Sequence, residues 1–196
     1  MTEIEKYYQS FMQDISTMQE SCGEEGSSTQ QVFTQIAVDI LSDAGETGNV
    51  VVAYDEKDLQ KKGQHRINAY AISDNYETVD LFISVFNQIE TIQSVSKLEI
   101  DRATTQITNF YRKAVESNYV DKIEESSEIF EFADTLANYQ ELKENLDRVN
   151  VFILTNCEYK GDFPPSESIG GSTVYYRIID INYLYKISEQ SRVPVE

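Results

Sequence analysis

The chain has 196 residues, of which 40% are hydrophobic, and 34 acidic against 16 basic residues give it a net charge of -18. A chain of this length buries roughly 70% of its unfolded surface, so one substantial core is expected, and no apolar run approaches the ~20 residues of a membrane span. Because this charge repels phosphates, nucleic-acid binding by this segment alone is disfavoured.

The first residues and the cysteines bear on the compartment. The start MTEIEKYYQSF is charged where a secretory signal needs an apolar stretch. Cys22 and Cys157 lie far apart, and such a pair is typical of reduced, buried thiols rather than of a disulfide. The sequence therefore predicts a cytoplasmic protein that does not enter a membrane.

Two helices are predicted before the first strand. Apolar residues recur at three- and four-residue spacing over residues 3–20, within an N-terminal segment of residues 1–22. A second helix is predicted from Ser28, its N-cap, to Gly45. The first helix carries an aromatic stripe that we expect to dock onto this domain or onto a partner: Tyr7, Tyr8 and Phe11.

Three strands are predicted next. NVVVAYD at residues 49–55 is a short β-branched run, and residues 66–73 and 78–86 read as a β-hairpin closed by a DNYE turn. The second hairpin strand is apolar on both faces, which is typical of a central strand between two layers. The short connections favour antiparallel pairing of all three strands.

The rest of the chain alternates helices with strands. Ser96 and Glu99 form a capping box that opens a long helix, which we expect to pack on the sheet. The remaining elements follow in order: one or two helices over 127–147 with a break near Asn138, a buried strand over 149–156, a loop over 161–171, a strand over 173–179, and a short helix capped by Asp180.

This order predicts an α/β (α+β) fold. It is the αβββαβ succession of restriction-endonuclease-like cores, with a mixed central sheet flanked by helices and an extra N-terminal helix. We find no internal repeat and no interior boundary, so residues 1–196 are expected to form a single domain whose core spans 28–196. Fold by itself does not give the function.

Several runs resemble a known family. RINAYAISDNYETVDLFISVF, VNVFILTN and TVYYRIIDINYLYKISEQSRVPVE are similar to the N-terminal domain of AIPR (abortive infection phage resistance) proteins, over roughly residues 30–196. The resemblance implies a PD-(D/E)XK nuclease-like fold, and it implies that this chain is the N-terminal part of a longer protein. In that family the hairpin carries an Asp on its first strand, and a Gln or Glu, one residue, then Lys on its second.

This chain departs from that pattern at the residues that matter most. Acidic oxygens hold Mg²⁺ in such sites, and the Lys activates the attacking water. Here Asn68 stands in place of the Asp, and Ile83, Ser84 and Val85 occupy the second-strand positions. Since Ile and Val supply neither a ligand nor an ammonium group, the nuclease signature is degenerate and no cofactor is expected.

A displaced site is the alternative. A three-residue shift of the register brings Asp80 onto the motif, but no shift on this hairpin supplies a Lys. Asp55, Glu56 and Asp58 follow the first strand, and they read as a solvated turn rather than as a metal site. An active Mg²⁺-dependent nuclease would then need Asp55 or Asp80 with a lysine from another element, such as Lys57 or Lys97.

Other chemistries receive little support. His65 is the only histidine, and we expect it on the surface because Lys61, Lys62 and Arg66 surround it in the sequence. The cysteines lack the spacing of a zinc site. Four tyrosines could form a base-stacking platform but are expected to be half-buried core, given the charge: Tyr175, Tyr176, Tyr183 and Tyr185.

Two hypotheses follow. In the first, the chain is a catalytically degenerate nuclease-like domain of a phage-resistance protein that acts as a structural or interaction module, with a protein partner or a further C-terminal region, and a homodimer is compatible with it. In the second, it is an active nuclease with a displaced site. A cleft with two or more carboxylates around Asn68 favours the second hypothesis, and a packed apolar pocket does not.

Overall fold

A computed structural model of the chain describes residues 1–21, 28–58 and 60–191. The helices are α1 (Glu3–Ser21), α2 (Thr29–Asp43), α3 (Lys97–Glu116), α4 (Phe130–Asn138), α5 (Gln140–Asn145) and α6 (Ile181–Ser191), with a 3-10 turn at Tyr119–Lys122. The strands are β1 (Val51–Lys57), β2 (His65–Ile72), β3 (Thr78–Val85), β4 (Arg148–Thr155), β5 (Glu167–Ile169) and β6 (Ser172–Ile179).

The described strands form one mixed sheet in the order β1-β2-β3-β4-β6-β5. β1, β2 and β3 pair antiparallel, whereas β4 lies parallel to both β3 and β6. The predicted hairpin is confirmed, and its second strand is central, since β3 lies between β2 and β4. The αβββαβ order is present from α2 to β4, with α1 as the extra N-terminal helix.

Helices cover both faces of the sheet. Val79, Leu81 and Ile83 of β3 pack in an apolar layer with α3 and α4. Phe82, on the other face of the same strand, packs in a layer with α1, α2 and α6. The α1 stripe docks on this second layer through Tyr8 and Phe11, which are both buried. This alternation explains why β3 is apolar on both sides.

The caps form as the sequence predicted. Ser28 Oγ accepts a hydrogen bond from the N–H of Gln31 at 3.3 Å. Ser96 and Glu99 make the reciprocal capping box, with both backbone N–H groups donating at 3.2 Å. Asp180 Oδ1 accepts from the N–H of Tyr183 at 3.0 Å. Each bond satisfies a backbone donor that the first turn of a helix leaves unpaired.

The structure corrects one predicted loop. Within residues 161–171 it contains the short strand β5, which pairs antiparallel with β6. Gly170 and Gly171 connect the two strands with φ angles of 60° and 86°, which glycine adopts without steric cost, so the glycine pair closes a hairpin. Among the described residues, no helix combines the length and the apolar character that crossing a membrane requires.

Candidate functional site

Asn68 is fully buried at the point where the paired register of β2 and β3 ends, at Ala69 and Phe82. Beyond that point the Asn68 side chain replaces a backbone acceptor, because its Oδ1 accepts from the N–H of Ser84 at 2.9 Å. Its Nδ2 donates to Oε1 of both Gln30 and Gln31 at 2.7 Å.

Arg66 completes the surroundings of Asn68. Its Nη1 donates to Asn68 Oδ1 at 2.8 Å, to the Ser84 carbonyl at 2.8 Å and to Gln30 Oε1 at 3.0 Å. Burial lowers the pKa of Arg66, but a guanidinium stays charged in proteins. A cation therefore lies among amide and carbonyl oxygens beside the position where the family carries its Asp. We call Asn68, Arg66, Gln30, Gln31 and Ser84 the Asn68 network.

Two helices and the hairpin hold this network in place. Gln30 and Gln31 lie in the first turn of α2, which Ser28 caps. Thr34, one turn further, shares a 2.6 Å hydrogen bond with Ser84 Oγ. On the other side, Arg66 Nε donates to Gln106 Oε1 of α3 at 3.3 Å. The surroundings of Asn68 are thus a packed polar network rather than either a carboxylate cleft or an apolar pocket.

The second-strand positions are apolar in the structure as in the sequence. Ile83 is fully buried in the layer with α3, and Val85 packs against that layer from its margin. Ser84, between them, points to the opposite face and bonds Thr34. Neither Ile83 nor Val85 can ligate a cation or activate water. Ile83 and Val85 therefore contribute to the core.

The expectation of a surface His65 is wrong. Its side chain is fully buried, and its Nε2 lies 2.9 Å from Asp55 Oδ2. Lys113 Nζ, from α3, lies 3.0 Å from Nδ1. The reason is that β2 begins one residue earlier than predicted, which places His65 on the α3 face with Ile67. We call Asp55, His65, Lys113 and Tyr119 the His65 cluster.

Asp55 also departs from its prediction as part of a solvated turn. It is the last buried residue of β1, and it accepts a 2.8 Å hydrogen bond from Tyr119 as well as the contact with His65. Its carboxylate lies on the α3 face, like the side chain of Ala53 two residues earlier. Glu56 and Asp58, by contrast, are exposed as predicted.

The partners of His65 define its hydrogen bonding. An ammonium group has no acceptor, so Lys113 Nζ donates to Nδ1, and Nε2–H donates to the Asp55 carboxylate. Burial, followed by the hydrogen bond to Asp55, raises the pKa of Tyr119 above its ordinary value. Both ring nitrogens are engaged within the protein, so the cluster ties β1, β2, α3 and the 3-10 turn together.

The candidates for a displaced site do not come together. Asp80 accepts from Thr47, which follows α2, at 2.7 Å and from Asn150 at 3.0 Å, whereas Asp55 is bonded on the α3 face. Lys97 pairs with Asp101 at 2.8 Å on the surface of α3, and Lys57 is exposed at the end of β1. Within the described ranges, no group of three His, Cys, Asp or Glu side chains could hold a metal ion.

A cleft of about 310 Å³ opens beside the Asn68 network. Arg66 and Gln30 of the network line it, together with Arg102 of α3. The other lining residues include two carboxylates and a phenol: Glu56, Glu99 and Tyr54. The cleft therefore combines guanidinium, amide, carboxylate and phenol groups beside the Asn68 network.

The remaining candidates behave mostly as core. Tyr176 is buried and Tyr183 is half-buried, whereas Tyr175 is 37% exposed, with the Arg148 guanidinium 4.0 Å from its ring centroid. Cys157 is a buried thiol, as expected. Cys22 lies outside the described residues.

Sequence reasoning missed most members of both groups. Gln30 and Gln31 follow a recognised N-cap, but nothing in their spacing connects them to Asn68, which lies 38 and 37 positions later. Lys113 and Tyr119 lie on and after α3, and their contacts depend on how that helix crosses the sheet. Only Arg66 could have been identified from the sequence. It alternates with Ile67 at the start of a buried strand, where a charged side chain requires partners.

Comparison with known families gives a match over most of the chain. Residues 33–186 match the model of the abortive infection phage resistance protein N-terminal domain. Searches of the curated proteins and of the solved structures returned no match. The matched range begins within α2, so it contains the hairpin, α3 and β4, while α1 lies before it. Because the match covers more than half of the chain, the protein belongs to the abortive infection phage resistance N-terminal domain family.

Proposed function

We propose that this chain is a catalytically degenerate nuclease-like domain, in which the hairpin of a PD-(D/E)XK site has become structural. The proposal places it in a phage-resistance protein as a structural or interaction module with a protein partner. It includes a cytoplasmic location, a single domain over residues 1–196, and no metal cofactor.

The state of Asn68 is the observation that carries this proposal. A nuclease of this class needs a ligand oxygen that is free to bind Mg²⁺. Asn68 Oδ1 already accepts from Arg66 and from the N–H of Ser84, and its Nδ2 is bonded to two glutamines. Arg66 also brings a positive charge to the same oxygens, and this charge opposes the approach of a divalent cation.

The alternative of an active nuclease with a displaced site has less support. Asp55 and Asp80 are each engaged in hydrogen bonds, and their partners lie on different faces of the sheet. A two-carboxylate site needs both groups to converge on one ion, which these positions do not allow without refolding of β1 or β3.

A nuclease assay tests the proposal. Purified protein is incubated with single- and double-stranded DNA and RNA in Mg²⁺ or Mn²⁺, and the products are resolved on a gel. We expect no cleavage above a chelator control. Cleavage that Asp55→Asn or Asp80→Asn abolishes would instead establish the displaced site, whereas cleavage that both variants retain points to a contaminating enzyme, and the assay is repeated on repurified protein.

A second variant tests how far the site has degenerated. Asn68→Asp restores the family residue, but Ile83 and Val85 still supply neither a second ligand nor a lysine. We expect this variant to remain inactive with either metal. Activity in Asn68→Asp would show that a single substitution separates this domain from a nuclease, and the interpretation of Ile83 and Val85 as inactivating would be wrong.

A further inference from the structure

The cleft beside the Asn68 network is lined by hydrogen-bond donors that lack partners among the described residues and by carboxylates that already accept hydrogen bonds. We infer that it binds an oxyanion, the phosphate group of a small molecule, directly on Arg66 and Arg102 without a metal ion. This inference rests on the proposed function, because it assigns a ligand class to the same degenerate centre. The centre holds the Arg66 guanidinium at the position where carboxylates would hold a cation in a nuclease.

The donors that line the cleft have unused capacity. Arg66 donates to protein acceptors through Nε and Nη1, while its Nη2 has no hydrogen-bond partner within the described part of the chain. Arg102 is exposed and makes no ion pair or hydrogen bond with the residues that the structure describes. Gln30 accepts two bonds at Oε1, and its Nε2 likewise lacks a partner among them.

The carboxylates of the same cleft are already engaged. Glu56 Oε2 accepts a hydrogen bond from the Tyr54 hydroxyl. Glu99 Oε2 accepts from both the backbone N–H and the hydroxyl of Ser96 in the capping box of α3. The groups left with unused hydrogens are therefore the guanidinium and amide donors. A tetrahedral oxyanion, with its several acceptor oxygens, matches several such donors around one cleft.

Arg66 is also held rigidly, which favours anion binding. Its four hydrogen bonds fix the guanidinium plane before a ligand arrives, so little side-chain entropy is lost when Nη2 binds. Arg102, by comparison, is exposed and makes no such bonds within the described part of the chain, and we expect it to close over the bound group. The cleft of about 310 Å³ has room for a phosphate and part of the molecule that carries it.

Inorganic phosphate and a mononucleotide share this chemistry, and they can be distinguished. If the protein contacts only the phosphate group, inorganic phosphate and the mononucleotide should bind with the same affinity. If Tyr54, which lines the cleft, also contacts the attached group, the mononucleotide should bind more tightly. A polynucleotide is disfavoured, because the net charge of -18 repels an extended chain of phosphates.

The test is a calorimetric titration of the full chain with inorganic phosphate and, separately, with adenosine monophosphate, both at low ionic strength. We expect saturable binding of at least one ligand. Arg102→Ala should weaken it about tenfold, the loss expected for one charge-assisted hydrogen bond. Glu56→Gln should strengthen it, because the substitution removes a negative charge from the rim.

Arg112→Ala is the matched control, since Arg112 lies on the same helix, carries the same charge and pairs with Glu167 outside the cleft. It should leave affinity unchanged. Equal weakening by Arg102→Ala and Arg112→Ala would mean that the affinity depends only on net charge, and this would overturn the inference. The absence of saturable binding for both ligands would overturn it as well. Neither result bears on the nuclease assay, so failure here leaves the proposed function standing, and metal-dependent cleavage would refute that function whatever the titration gives.

Discussion

The Asn68 network and the His65 cluster both include residues from the first four positions of β2, His65 to Asn68, but they differ in their chemical groups. The Asn68 network consists of neutral amides and the Ser84 backbone around one permanently charged guanidinium. The His65 cluster joins a carboxylate, an imidazole, an ammonium and a phenol. We therefore expect the first to be insensitive to pH and the second to respond at alkaline pH through Tyr119, whose pKa is raised by burial.

The two groups also differ in their expected roles. Asn68 lies where the family resemblance implies a catalytic Asp, and the side chains of its network bond one another and the Ser84 backbone. The His65 cluster lies one layer away and fixes β1, β2, α3 and the 3-10 turn relative to each other. Breaking each group in turn should separate the two roles.

Arg66→Met should have the largest effect. Methionine retains much of the aliphatic volume but removes four hydrogen bonds, and it leaves Asn68 Oδ1 and the Ser84 carbonyl short of a donor. Buried acceptors that lose a charged donor are costly, so we expect the free energy of unfolding to fall by about 3–5 kcal/mol. Urea unfolding followed by circular dichroism measures this difference.

Arg112→Met serves as the control for that prediction. Arg112 is on the exposed surface of α3 and pairs with Glu167 at 3.1 Å, and such pairs contribute about 0–1 kcal/mol. Equal destabilisation by the two substitutions would mean that the Asn68 network adds no more than a surface ion pair.

Alkaline pH should act on the α3 face and spare the Asn68 network. Burial raises the pKa of Tyr111 to about 12 from an ordinary value of 10.0, and burial with the Asp55 hydrogen bond raises that of Tyr119. Since a raised pKa favours the protonated form in the folded state, this stability is complete below pH 10 and is lost as the pH rises through the folded values. Tyr111 alone should account for about 2–3 kcal/mol.

Unfolding measured by circular dichroism, with phenolate absorbance recorded in parallel, checks this dependence. Tyr119→Phe should reduce the loss above pH 10, whereas Tyr175→Phe, at a 37% exposed position, should not. If ionisation proceeds at pH 10 without loss of structure, these phenols are not held protonated by burial.

The sequence was sufficient for most of the fold because local patterns decide it. The capping box at Ser96, the N-cap at Ser28 and the two-sided apolar pattern of β3 each depend on residues close in the chain, and each was predicted correctly. β5 was missed because three residues between prolines and glycines show too little alternation to identify a strand.

The contacts around Asn68 could not be predicted from the sequence, and the assignment of a degenerate site to Asn68, Ile83 and Val85 stays a prediction. Asn68, Ile83 and Val85 were identified as degenerate through the family pattern, but the partners of Asn68 come from α2, and their approach depends on tertiary packing. His65 was misassigned because three neighbouring cations suggested a solvated loop. Extending the alternation of β2 back by one residue would have placed it beside Ile67 in the core.

Asp55→Asn should have a smaller effect than Arg66→Met, at about 2 kcal/mol. The substitution preserves shape but replaces the charged acceptor of two hydrogen bonds with a neutral amide. Asp58→Asn, at an exposed position just after β1, should change stability by no more than about 0.5 kcal/mol. Thermal melts of the two variants against the parent chain give the comparison, and matching shifts would indicate that the Asp55 carboxylate is not used in the fold.

Lys113→Met should have the smallest effect, about 1 kcal/mol, since Lys113 is only half-buried and makes a single bond to His65 Nδ1. Its consequence for His65 is more informative than its effect on stability. With Lys113 present, the only arrangement that satisfies both neighbours is the neutral ring with its proton on Nε2. Nitrogen NMR of the single histidine should show that tautomer in the parent chain, and in Lys113→Met the Nδ1 resonance should move because it loses the hydrogen bond from Lys113. An imidazolium already present in the parent chain at neutral pH would contradict the hydrogen-bond assignment and make His65 and Asp55 an ion pair, with Lys113 repelled from it.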